Sequence, residues 1–178
     1  MNRLIFFCTL ITTLCGCYSQ SRVYYVSSRF TAEEAIQIEE AAAEWRTKTG
    51  GDIWLVFGSK YNDDVDMVVP VESATYCSHH DEGPSYTIYI NRQCQNLKTP
   101  ITVRYSAMHE FGHALGINKG GTDGHGHLPA GYGIMSRDPN FGWKEEVTCA
   151  DARAYCTFND CNPRELPACQ PNPLSTSN

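Results

Sequence analysis

His109 and His113 stand four residues apart and enclose a carboxylate in the run His109-Glu110-Phe111-Gly112-His113. On a helix, positions i and i+4 lie one turn apart on the same face, so both imidazoles reach one cation while Glu110 flanks it. Zinc is the ion such a pair suits. Held by three protein groups, it keeps an open position for water and lowers the pKa of that water to about 7. Glu110 is then the candidate catalytic base: it takes a proton from the water and later delivers it to a leaving amine, while the metal stabilises the oxyanion. A five-residue pattern of this kind recurs by chance in roughly one or two chains in a hundred of this length, so the elements around it must agree.

They do agree. Thr99-Pro100 predicts the opening of a helix, proline being acceptable at the first helical position; it runs through Val103, Tyr105, Ala107 and Met108 into the motif. Gly116 is placed to end it in a left-handed turn. Upstream, residues 22–27 read as a strand rich in branched and aromatic side chains. Thr31-Ala32-Glu33-Glu34 fits a capping box, and Ala35, Ile38, Ala42 and Trp45 recur at helical spacing down to Gly50, with Glu33, Gln37, Glu40 and Glu44 on the solvated side. Strands are predicted over 53–57, 65–71 and, by alternation, 86–90. Ser78-His79-His80-Asp81-Glu82 reads as a solvated polar loop, with a second metal site as the alternative. Residues 117–143 are glycine-rich and irregular, 147–158 predict a third helix, and the proline-rich tail over 163–178 is either held by cysteines or without regular structure.

The first residues do not belong to this fold. Asn2 and Arg3 precede an apolar run from Leu4 to Leu14, which has signal-peptide length and is too short to span a bilayer. It ends in Leu14-Cys15-Gly16-Cys17, which resembles the lipobox of bacterial lipoproteins; the resemblance implies a signal peptide over 1–16, a lipid on Cys17, and an exported chain anchored to the outer membrane. An ordinary secretory signal cut after Ser19 is the alternative, and the product is then secreted. Roughly 160 residues remain, enough for one domain and too few for two. The formal net charge is −6, with no Lys/Arg cluster to track phosphates, so nucleic acid is not an expected partner. Cys8 and Cys15 lie in the signal. The other six beyond Cys17 are Cys77, Cys94, Cys149, Cys156, Cys161 and Cys169, an even number that predicts three disulfides in an exported chain. Cys77 with Cys94 would staple the connections around strand 86–90; spacing does not choose a pairing for the other four.

With these residues in view, the chain resembles the metzincin zinc metallopeptidases, matrixin-like members in particular. The resemblance covers strand, backing helix, further strands, active-site helix, the glycine after it, and Ile134-Met135-Ser136 as a candidate Met-turn. It implies an α+β fold: a twisted mixed sheet with a backing helix and an active-site helix, and a small C-terminal lower subdomain with a third helix. The single catalytic domain would cover 17–178, upper subdomain about 18–118 and lower about 119–178. It further implies a monomeric zinc endopeptidase that cleaves extended protein or peptide substrates lying along an upper-rim strand, here assigned to 86–90, by zinc-bound water activated by Glu110.

One position departs from the family pattern. The long motif H-E-x-x-H-x-x-G-x-x-H is matched through Gly116, but Lys119 takes the place of the third histidine, and an ammonium has no lone pair to give. Asp123, His125 and His127 are the donors in the loop that follows. Counting back from Met135 by the matrixin-like separation reaches His127, which makes 119–128 an insertion; His125, Asp123, Lys119 or no third ligand stay open. Two other readings compete: a metzincin-like binding lipoprotein without catalysis, and a gluzincin-like peptidase whose third ligand is Glu145 or Glu146.

Overall fold

The structure is a computed structural model that describes residues 21–72, 78–82, 86–92, 102–117, 126–129, 131–136 and 145–171. The proposed signal segment and Cys17 lie outside the described residues, as do Cys77 and Cys94. Among the described residues no helix is long and apolar enough to cross a membrane.

Strand β1 (Arg22–Ser27) buries Tyr24 and Val26 on one face and leaves Val23 exposed on the other, the period of two that a pleat imposes. Helix α1 (Ala32–Thr49) starts at a complete capping box. The Thr31 hydroxyl accepts from the Glu34 N–H at 3.2 Å, and the Glu34 carboxylate accepts from the Thr31 N–H at 2.7 Å. It stops at Gly50, whose φ of 72° and N–H bond to the Arg46 carbonyl form a left-handed cap. Ile38, Ala41, Ala42 and Trp45 line its buried side. The chain then returns as β2 (Ile53–Ser59), parallel to β1, so β1-α1-β2 is a crossover unit.

Strands β3 (Met67–Val71) and β5 (Tyr86–Asn91) continue the parallel pairing, and β4 (Ser78–Glu82) lies antiparallel to β5. The order is β2-β1-β3-β5-β4. The sheet is mixed, as expected, but mostly parallel, which makes the molecule an α/β fold where the resemblance implied α+β. Two sequence expectations change with it. Ser78–Glu82 is a strand instead of a solvated loop, and residues 86–90 occupy the interior of the sheet, so the rim assigned to them belongs to β4. Burial agrees: Ile88 and Ile90 are fully inaccessible.

Helix α2 (Val103–Ala114) packs on α1 and β5, and the Trp45 indole N–H donates to the Met108 carbonyl at 2.7 Å across the two helices. Its N-cap is Thr102, whose hydroxyl accepts from the Tyr105 N–H, so the described helix starts at Val103; Thr99-Pro100, the predicted opening, lie outside the described residues. Helix α3 (Cys149–Asn159) follows Thr148, which forms a second capping box with Asp151, a shift from the predicted span of 147–158. Disulfides Cys149–Cys169 and Cys156–Cys161 tie the tail, through two short 3-10 turns at Pro163–Glu165 and Pro167–Cys169, to this helix.

Candidate metal centre

The end of α2 explains how one imidazole is aimed. Gly116 at φ 97° donates its N–H to the His113 carbonyl, and the Ile117 N–H reaches back to the Gly112 carbonyl, a pair of bonds that forms a Schellman motif. This turn brings the Ile117 carbonyl to 2.9 Å from His113 Nδ1. A carbonyl only accepts, so Nδ1 carries the proton and Nε2 keeps its lone pair. His109 is held in the same way from the other side: its Nδ1–H donates to the Ile134 carbonyl at 2.9 Å.

His127 completes the group. Its ring centroid stands 5.2 Å from that of His109 and 5.1 Å from that of His113, and one nitrogen from each of the three lies within 4.8 Å of the others. His109 Nε2 and His127 Nε2 are 3.3 Å apart. Burial pushes the His109 imidazole below its usual range, with the His127 charge acting in the same direction; the Glu110 charge and the Ile134 carbonyl oppose the shift. A neutral imidazole is what ligation needs. Three nitrogen donors converging, with two tautomers locked by backbone carbonyls, would suit a borderline-soft dication such as zinc.

The floor of this site is the Ile134–Met135 turn. Met135 is fully buried, and a side-chain carbon on Gly112 would run into its sulfur and, at 2.8 Å, into the Trp45 ring. Only glycine fits between the two histidines of α2 at that contact. The turn is held by Asp151, whose carboxylate accepts from the N–H of Met135 at 2.9 Å, of Ile134 at 3.2 Å and of Thr148 at 2.7 Å. Burial raises the Asp151 carboxyl above its ordinary range, and these donors act against that rise. A side chain on Gly133 would strike the same carboxylate. The Tyr105 hydroxyl donates to the Ile134 carbonyl at 3.3 Å, beside the His109 bond to that oxygen.

Glu110 is 3% exposed, and its Oε1 accepts from the Ser78 hydroxyl at 2.7 Å. Lys119, Asp123 and His125 lie outside the described residues. Glu145 and Glu146 are exposed and are not part of the three-histidine group. Within Ser78–Glu82, the alternative second site, the His79 ring stacks on Tyr89 at 4.5 Å. Tyr105 and Asp151 escaped the sequence reading as site residues, and Ser78 figured in it only within the alternative second metal site. Asp151 alone carried a signal, as the acidic third residue after a Thr N-cap. No protein-family model matches this chain, and a search of curated proteins finds no match either.

Proposed function

We propose that this chain is a zinc-dependent endopeptidase of the metzincin plan that hydrolyses peptide bonds in extended protein substrates. The observation that carries the reading is the convergence of His109, His113 and His127 around one point, with the buried Glu110 between the two helical histidines in sequence. Zinc, when bound, supplies Lewis acidity toward water and toward the scissile carbonyl. His109 and His113 hold it through Nε2, each oriented by its carbonyl partner. The Glu110 carboxylate, which accepts from Ser78 at Oε1, takes the proton of the attacking water as the new C–O bond forms. The same carboxyl then gives that proton to the nitrogen as the C–N bond breaks. Strand β4 is last in the sheet, and its outer side pairs with no strand among the described residues, so an extended peptide has a backbone edge on which to add.

The mature chain is proposed to work as a monomer outside the cytoplasm, anchored through Cys17 or secreted; the two disulfides fit an oxidising compartment. The place of His127 beside the helical pair favours it as third ligand over the Glu145 or Glu146 of the gluzincin-like reading, and the non-catalytic reading, which started from Lys119, is separated by the experiment. The test is metal analysis together with cleavage of an unstructured protein by the parent and by Glu110→Ala. One zinc per chain in both, with activity falling about two to four orders of magnitude in the variant, is expected because the base is not a ligand. Zinc binding without cleavage by the parent would return the chain to a binding role.

A further inference from the structure

We infer that Ser78 is a positioning residue for Glu110, an inference that rests on the peptidase reading of the same site. The geometry is a single short bond between two elements that are each held elsewhere. Ser78 sits opposite the fully buried Ile90 in the β4-β5 ladder, which sets its register and turns its side chain toward α2. Glu110 is on α2, which the Trp45 indole pins through the Met108 carbonyl. The hydroxyl is the donor, since an ionised carboxylate only accepts, and at 2.7 Å the bond has the length of a charge-assisted contact.

A carboxylate on a three-torsion side chain that is 3% exposed needs a partner to hold one rotamer. Ser78 is such a partner, at Oε1. The hydroxyl itself takes no proton and contacts no ligand nitrogen in the described bonds, so its effect on turnover runs through the orientation of Glu110.

The experiment compares Ser78→Ala, Ser78→Thr and Ser78→Val in the zinc-loaded chain, each with Glu110 intact and with Glu110→Ala. Thr and Val are both branched and suit a strand, so this pair isolates the hydroxyl from its shape even where Ala disturbs folding. With an unstructured protein as substrate, Ser78→Ala and Ser78→Val should lower kcat about 10-fold to 100-fold, with KM and zinc affinity unchanged, and Ser78→Thr should restore most of kcat. In the Glu110→Ala background none of the three should lower the residual rate further. Crystal structures of the Thr and Val variants should show one Glu110 rotamer in the first and a displaced or split carboxylate in the second. Equal kcat for Thr and Val, additive losses in the Glu110→Ala background, or an unmoved carboxylate in the Val variant would overturn the assignment. A parent that binds zinc but cleaves nothing would sink the peptidase reading instead, and the two crystal structures would still decide whether Ser78 orients Glu110.

Discussion

Each helical imidazole donates its Nδ1–H to a carbonyl that belongs to a turn, Ile117 for His113 and Ile134 for His109, so the aim of the rings depends on residues outside the three-histidine group. Asp151 is the deepest of these. Its carboxylate holds the N–H groups of Ile134 and Met135, and that turn presents the oxygen on which His109 rests. Replacing Asp151 by Ala strands several buried donors at about 1–3 kcal/mol each, so urea unfolding should show a loss of at least about 2 kcal/mol. Zinc titration against a chelator should show affinity weakened about 10-fold to 100-fold. Unchanged affinity in a folded variant would separate Asp151 from the site. The third-ligand assignment makes the sharper contrast. His127→Ala should lose zinc affinity and activity together, by about 100-fold or more in affinity, whereas Lys119→Ala should keep both, since an ammonium is no ligand. Retention of tight zinc by His127→Ala would move the ligand elsewhere in the loop.

Among the elements, α2 is where a backbone conformation becomes a feature of the site. Gly116 sits at φ 97°, a region in which a side chain costs about 1–2 kcal/mol, while the space around it is ordinary, with the nearest atom, Phe158 Cβ, at 3.6 Å. Gly116→Ala should therefore lower unfolding free energy by about that amount through strain alone, and it should also weaken zinc binding because the Ile117 carbonyl moves. Equilibrium denaturation and the chelator titration read the two effects apart. Helix α1 offers a pH-dependent counterpart. Burial pushes the Glu34 carboxyl up, but the Arg92 guanidinium, bound through two contacts of 2.7 Å, and the Thr31 N–H prevail and hold it below the usual range. A carboxyl whose folded pKa is depressed contributes stability above its unfolded pKa and loses it as pH falls through the folded one. The parent should thus lose stability on acidification below the ordinary glutamate range, and Glu34→Gln should be less stable at neutral pH with a flatter acid limb in pH-dependent denaturation. Parallel acid limbs would rule Glu34 out as the titrating group.

For the molecule as a whole, an ion held by the three histidines would join parts that are distant in sequence: α2 and the loop at His127, with the Ile134–Met135 turn and α3 behind them. An ion that binds the folded chain and not the unfolded one adds RT ln(1 + [L]/Kd), about 2.7 kcal/mol at a free zinc concentration 100 times Kd. Chelation should accordingly lower Tm, and the drop should vanish in His127→Ala, which has little zinc to lose. A Tm indifferent to chelator in the parent would mean that no ion couples these parts.

Much of this was legible in the chain because it is local. The spacing of His109 and His113 is one helical turn, the capping box at Thr31 closes within four residues, and Gly116 ends α2 as a left-handed glycine should. His127, picked by counting from Met135, stands beside the pair among the described residues. What needed the tertiary structure is pairing between distant segments. Strand β4 has no apolar alternation, since an edge strand is held by its backbone and can carry Ser78, His79, His80, Asp81 and Glu82, so it read as a loop and its rim passed to the interior strand β5. The Ser78 bond to Glu110 spans 32 residues and the Asp151 bonds to the turn span 16 and 17, distances at which no spacing rule operates. Four cysteines near one another allow three pairings, and only the folding of the tail back along α3 selected Cys149–Cys169 and Cys156–Cys161. Short-range hydrogen bonding and helical period were written in the residue order; sheet order and the partners of Glu110 were decided by which faces the packed elements bury together.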